Sequence, residues 1–258
     1  MSELVDRTIA ALRANHDRLA GVVAGISAEQ LTGPSGASDW TIADVLSHLG
    51  SGSEIGWYPV KAAATGERVD APDNQEVWDR WNGLDPVDQA RSFVASDEQS
   101  VATFEGLSPE QRDSITIDLG FLPEPVPLAT ALGMRLNEQV LHGWDIEVGL
   151  DPAAALTDES AALLAQHFSS TMNFLLGFVG KPGGIGPARV GLGDFTVVIA
   201  DAVSLEAGAD DTTATFEGPL EAGIRLLAGR LKLDYTPDGV TVSGNITLDE
   251  LRTAFPGY

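Results

Sequence analysis

The chain contains no cysteine. No disulfide can brace it, and no thiol of its own can act as nucleophile or metal ligand. Sulfur chemistry, if there is any, must use a thiol brought from outside. Basic residues are scarce too. Fifteen lysines and arginines stand against 38 aspartates and glutamates, a formal charge of −23. Such a surface repels phosphate backbones, so nucleic acid and anionic membranes are excluded as partners. No apolar run reaches the roughly 18 residues that a membrane-spanning helix needs. The opening segment MSELVDRTIAALRANHDRLAG lacks a basic stretch followed by an apolar core. It therefore reads as a structural helix and not a secretory leader, and a cytoplasmic location is the default expectation. Histidine is also rare, with four in 258 residues, so the place of each one is informative.

A hydrophobic share of 43% is enough for real cores, and the length favours two domains. Residues 3–26 read as a first helix with Leu4, Ile9, Leu12, Leu19, Val22 and Val23 on its apolar side. His16, between Asn15 and Asp17, falls on the polar side and is expected to be exposed or lightly bonded. After the loop TGPSGASD, a second helix opens at WTIADVLSHL, with Thr41 as N-cap and Asp44 completing a capping box. Ile42, Val45, Leu46 and Leu49 form its buried stripe, and His48 lies at the flank of that stripe. A histidine there is either a packed boundary residue or a ligand. Asp44, one turn earlier, is a candidate for fixing its tautomer. Residues 65–83 read as a long connection anchored by Trp78 and Trp81. Residues 86–105 form a third helix, with Val87, Phe93, Val94, Val101 and Phe104 as candidate core. Leu107 to Glu110 starts a short turn, Ile115 to Ile117 is a brief extended piece, and PEPVP breaks the chain.

The stretch PLATALGMRLNEQVLHGWDIEVGL, from Pro127 to Leu150, organises the rest. Leu132, Leu136, Val140 and Trp144 make an apolar stripe at helical period. Pro127 suits the first turn and Gly149 the exit. Arg135, Glu138, His142 and Asp145 fall in one narrow arc on the other side. Glu138 and His142 are an i, i+4 pair whose side chains can reach one point. A carboxylate and an imidazole so placed make two thirds of a His/His/Glu metal site. The same pattern also describes the solvated face of an amphipathic helix. The small residues Ala131 and Gly149 on that arc argue for close packing against it. Arg135 is placed to orient Glu138, or to make a simple i, i+3 ion pair with it. Asp145 reads as an outer partner or as helix surface.

Beyond Asp151-Pro152 the character changes. A helix is expected over 157–180, capped by Thr157, followed by a glycine-rich loop over 180–186. That loop lacks a following Gly-Lys-Ser/Thr, so it is no phosphate-binding P-loop. Strands are expected at Phe195–Ala200, Thr213–Phe216 and Val240–Val242, with helices at Leu220–Leu231 and Leu248–Phe255. The fold class is thus α+β: a four-helix bundle over 1–153 and a small α/β domain over 154–258.

The segments WTIADVLSHL and RLNEQVLHGWDIEVGL, together with FEGPLEAGIRLLAGR and VTVSGNITLDEL, resemble the mycothiol-dependent maleylpyruvate isomerase family. The resemblance implies that the bundle is DinB-like. It also implies that His48, Glu138 and His142 bind a divalent metal, usually zinc, and that mycothiol is the thiol cosubstrate. It further implies a catalytic arginine in the C-terminal domain. Arg230 is the best match, and Arg225 and Arg252 compete with it. At a helix C-terminus, Arg230 is equally explained by the macrodipole. Two imidazoles and a carboxylate leave an open coordination position, as in catalytic zinc sites. A thiol bound there would be deprotonated near neutral pH. The expected reaction is thiol attack on a small electrophile, giving cis–trans isomerisation of an unsaturated acid or S-transfer. A metal-dependent hydrolase and a non-enzymatic metal- or ligand-binding bundle are the alternatives. Trp40, Trp57 and Trp144 are candidates to line the pocket. Monomer and homodimer both fit.

Overall fold

Residues 2–208 and 210–257 are described by the computed structural model; Met1, Ala209 and Tyr258, which fall within the expected domains, lie outside the described residues. The chain divides into two compact units, one ending at Ala154 and the other beginning at Ala155.

Four long helices build the first unit: α1 (Ser2–Gly25), α3 (Ile42–Thr65), α5 (Pro86–Glu105) and α7 (Leu128–Leu150). Their apolar stripes meet in a core that includes Leu12, Leu19, Leu46, Leu49, Phe93, Leu132 and Leu136. The start signals read from the sequence operate as such. Thr41 and Asp44 form the reciprocal capping box at the head of α3, and Asp85 caps α5 ahead of Pro86. Short elements fill the connections: α2 (Ala28–Leu31), α4 (Asn74–Asn82), α6 (Pro109–Ser114), and a two-stranded ribbon of β1 (Thr116–Ile117) and β2 (Val126–Pro127).

Helix α4 corrects the expectation of an irregular connection over 65–83. Asp73 caps it, and Val77 and Trp81 form a one-sided apolar face too short for a periodicity signal. Trp81 is buried, whereas Trp78 is exposed. The Trp81 ring lies so close to Gly50 that a Cβ there would collide with it. Val87 is also no core residue. It sits in the first turn of α5 and is 51% exposed.

The loop before α3 is stitched to the far end of α7. The Gly36 N–H donates to the Asp145 carbonyl at 2.7 Å. A Cβ on Gly36 would lie 2.9 Å from the Asp145 carboxylate. Gly149 is not the helix exit, because α7 continues to Leu150. Its role is close approach: a Cβ there would stand 2.5 Å from the Pro34 carbonyl oxygen. Pro127 likewise sits at the N-cap, just outside the first turn.

The second unit contains α8 (Asp158–Phe168), α9 (Asn173–Val179), α10 (Leu220–Leu227), a 3-10 turn (Leu233–Tyr235) and α11 (Leu248–Ala254). Its sheet has β3 (Ala188–Leu192), β4 (Phe195–Ile199), β5 (Val203–Ala207), β6 (Ala214–Glu217) and β7 (Thr241–Gly244), in the order β5-β4-β3-β6-β7. Only the β3–β6 pair is parallel among these strands. The single helix expected over 157–180 is broken in two. Ser169, Ser170 and Thr171 interrupt it, and the Ser170 hydroxyl donates back to the Gln166 carbonyl, as hydroxyl residues do when they compete with helix bonds. Strands β3 and β5 were not expected; ARVGL and VSLEA are short and carry little alternation.

In an exposed helix, glycine to alanine stabilises by about 1 kcal/mol. Gly149→Ala is expected instead to destabilise by about 1–3 kcal/mol, because the methyl must push the Pro34 backbone away. Urea denaturation of the variant beside wild type reads the sign directly.

Candidate metal centre

Helix α7 is buried on most of its surface, and this decides the ambiguity of its polar arc. Asp145 has no exposure and His142 only 9%, so that end of the arc faces the protein interior, while the Glu138 side chain remains 35% exposed. His48 arrives from α3. Its Nε2 lies 2.9 Å from Glu138 Oε2, and His142 Nε2 lies 3.7 Å from the same oxygen. One ligand atom from each of His48, Glu138 and His142 can be chosen so that all lie within 4.8 Å of one another. The structure therefore brings together the three residues that the sequence singled out.

The neighbours set the orientation of the donors. Asp145 Oδ2 is 2.8 Å from His142 Nδ1, which leaves Nε2 facing Glu138. A carboxylate on one ring nitrogen fixes the tautomer in which the other can ligate a metal. Asp44 does not do this for His48. Its carboxylate accepts from the Thr41 N–H at 2.9 Å and from the Thr41 hydroxyl at 2.6 Å, within the helix cap. Trp40, at the end of the stitched loop, stacks at 6.0 Å on the His142 ring and lies 5.2 Å from that of His48. Trp57 is engaged elsewhere, donating to Thr103 at 3.0 Å, and Trp144 is buried and donates to the Ala154 carbonyl. Of the three tryptophans considered, only Trp40 borders the cluster.

Burial works against ionisation of Glu138. The hydrogen bond with His48 and the positive fields of His142, His48 and Arg135 outweigh it and bring the carboxyl down to about 2. The group is a carboxylate at neutral pH, the form a metal requires.

Arg135 does not pair with Glu138. It reaches across to α5, where its Nη2 is 2.7 Å from Asp97, and it also donates to the Ser53 hydroxyl. Asp97 is fully buried and lies 2.8 Å from His16 Nδ1. It also accepts from Ser53 at 3.1 Å and from Gln139 at 2.8 Å. His16 is thus neither exposed nor lightly bonded: it is 5% exposed, and its Nε2 lies 3.0 Å from Glu98. The sequence held a signal for both. Asp97 interrupts the stripe of Phe93, Val101 and Phe104, and His16 interrupts that of Leu12 and Leu19. Burial would raise the Asp97 carboxyl, but His16 and Arg135 hold it down to about 2. The bond to Asp97 in turn raises His16. The remaining histidine, His167, lies in the second unit, where burial pushes it down to about 4.

The three candidate arginines all lie in the second unit. Arg225 is fully buried and grips Glu221 through two bonds of 2.8 and 2.9 Å, a structural ion pair. Arg252 donates to the Leu231 carbonyl and to Asp249. Arg230 follows α10, is buried, and donates to the Ala228 carbonyl at 3.1 Å. No helix among the described residues is long and apolar enough to cross a membrane.

Residues 12–147 match the family model of the mycothiol maleylpyruvate isomerase N-terminal domain. Two uncharacterized proteins of Mycobacterium tuberculosis are each 30% identical to the chain over 153 residues, 57% of this chain and 72% of theirs. The crystal structure of a mycothiol-dependent maleylpyruvate isomerase matches with a TM-score of 0.64 at 17% identity, over 94% of both chains. A histidine-to-alanine mutant structure matches with the same TM-score at 16% identity. At such identities the structural likeness carries the fold. His48, Glu138 and His142 all fall inside the matched segment.

Asp97 supplies a pH-dependent share of stability. Its folded value, about 2, lies below its ordinary 3.8. That share is complete above about pH 4 and is lost as pH falls towards 2. Asp97→Ala leaves the buried Arg135 guanidinium without its counter-ion and removes the partner of His16 Nδ1, and is expected to cost about 3–5 kcal/mol at pH 7. Denaturant midpoints of variant and wild type between pH 7 and pH 2 check both size and sign, the gap narrowing in acid.

Proposed function

The chain belongs to the mycothiol maleylpyruvate isomerase family, and from that premise we propose that it is a metal- and thiol-dependent enzyme. It activates the thiol of mycothiol for attack on a small unsaturated acid such as maleylpyruvate. The observation that carries this reading is the convergence of His48, Glu138 and His142 within 4.8 Å, inside the matched segment. Two imidazoles and an ionised carboxylate are the donor set of a catalytic zinc, with one position left for another ligand, and zinc is the first candidate. A cation bound there would lower the pKa of a coordinated thiol, so that a thiolate is available near neutral pH.

The chain's own residues supply the rest. Asp145 holds the His142 ring so that Nε2 is its ligand atom. The cap of Thr41 and Asp44 starts α3 where His48 is presented to Glu138. Trp40 packs beside the two rings on one side. With no cysteine, the chain offers no sulfur that would compete with the external thiol. Arg230 is proposed to bind a substrate carboxylate, or to stabilise the enolate formed when the thiolate adds to the double bond. Rotation about the resulting single bond and expulsion of the thiolate would give the trans isomer. Retention of the thiol would give S-transfer instead.

Elemental analysis of purified protein, combined with turnover assays with and without mycothiol, tests this reading. Near-stoichiometric metal is expected in wild type and is lost in His48→Ala, Glu138→Ala and His142→Ala, together with thiol-dependent isomerisation. Ester or amide hydrolysis without thiol would instead favour a hydrolase. A wild type that takes up no divalent cation would overturn the metal-thiolate reading. Arg230→Ala is expected to lower kcat by about 100-fold with metal content unchanged.

A further inference from the structure

On α3, His48 is followed by Gly52, Ile55 and Pro59. These four positions lie within about 60° of one another around the helix axis. His48 belongs to the metal cluster. Ile55 and Pro59 wall an open-mouthed cavity of about 330 Å³. That is within the roughly 300–1,000 Å³ of small-molecule sites. Tyr58 and Ala62 of α3 line it too, with Asn74 of α4 and Asp118 beyond β1. At 1.5 Å per residue, Ile55 stands roughly 10 Å along the helix from His48. Gly52 puts no side chain of its own on the face between them, and the Arg135 guanidinium borders that stretch, its Nη1 3.6 Å from where a Cβ of Gly52 would stand.

The lining narrows the ligand's chemistry. Ile55, Pro59 and Ala62 offer apolar surface. Tyr58, Asn74 and Asp118 offer a phenol, an amide and a carboxylate. Pro59, inside the helix, has no N–H, so the Ile55 carbonyl loses its usual helical donor and adds an acceptor. No lysine, arginine or histidine lines the cavity among the described residues. Such walls disfavour an anion, and therefore the acid substrate. They suit a neutral group that carries several O–H and N–H donors on an apolar frame.

We infer that this cavity holds the neutral, hydroxyl- and amide-bearing tail of the thiol cosubstrate while its sulfur is presented to His48, Glu138 and His142. The inference rests on the thiol-dependent reading above. It assigns thiol recognition to the α3 face and makes Tyr58, Asn74 and Asp118 residues that determine which thiol is accepted.

The test uses mycothiol, whose thiol is borne on an amide-linked, polyhydroxylated tail, beside the tail-less 2-mercaptoethanol. Ala62→Trp fills the cavity, and Asp118→Ala removes an acceptor without adding bulk. The expected result for Ala62→Trp is a KM for mycothiol raised about tenfold or more. The ratio of kcat/KM for mycothiol to that for 2-mercaptoethanol falls by the same factor, and Asp118→Ala moves both quantities in the same direction. S-methyl mycothiol, which cannot react, is titrated calorimetrically into metal-free full-length protein, and its binding weakens in parallel in both variants. Folded variants that bind S-methyl mycothiol as wild type does, with an unchanged thiol ratio, overturn the inference. Wild type that turns over with no thiol overturns the functional reading instead. The titration still decides the cavity in that case, because a wild type that does not bind S-methyl mycothiol overturns the inference by itself.

Discussion

Asp97 carries a charge inside the helical bundle, and side chains from the other three long helices compensate it. His16 comes from α1, Ser53 from α3, and Arg135 and Gln139 from α7. A buried carboxylate is costly unless its lone pairs are filled, and hydrogen bonds have direction where apolar contacts do not. A core of leucines tolerates small rotations of one helix on another. The Asp97 hub does not, because turning α7 would withdraw both of its donors. Those donors, Arg135 and Gln139, are one turn before Glu138 and immediately after it. The constraint that sets the rotation of α7 is therefore the constraint that aims Glu138 at His48.

Around this hub the cluster is held from several directions at once. Asp145 meets the ring of His142, and its backbone carbonyl holds Gly36. Gly36 and Gly149 let the loop before α3 lie against α7 more closely than any side chain would permit. That loop ends at Trp40, beside both histidine rings. The candidate ligand residues thus stand on long helices, and the loop beside them is tied to one of those helices. Rigid support of this kind is what a site needs if its donors are to converge before any ligand arrives.

The second unit follows a different logic. Its five-stranded sheet is mostly antiparallel, and its buried Arg225–Glu221 pair anchors α10 to the turn after it through the Tyr235 carbonyl. A guanidinium with its donors satisfied in this way is structural.

Much of the first unit was legible because its signals are local. The period of Leu132, Leu136, Val140 and Trp144, the capping box of Thr41 and Asp44, and the i, i+4 pair of Glu138 and His142 each depend on residues within a few positions of one another. Elements shorter than about two turns left too few positions for periodicity to speak, so α4 and the strands β3 and β5 went unread. The partners of charged groups were decided only in three dimensions. Arg135 and Asp97 are 38 positions apart, His16 and Asp97 are 81, and His48 and Glu138 are 90. Sequence determined which residue types stood on which helical faces. Tertiary packing decided which of those faces became interior, and hence that a carboxylate in one helix would be met by a histidine and an arginine from two others.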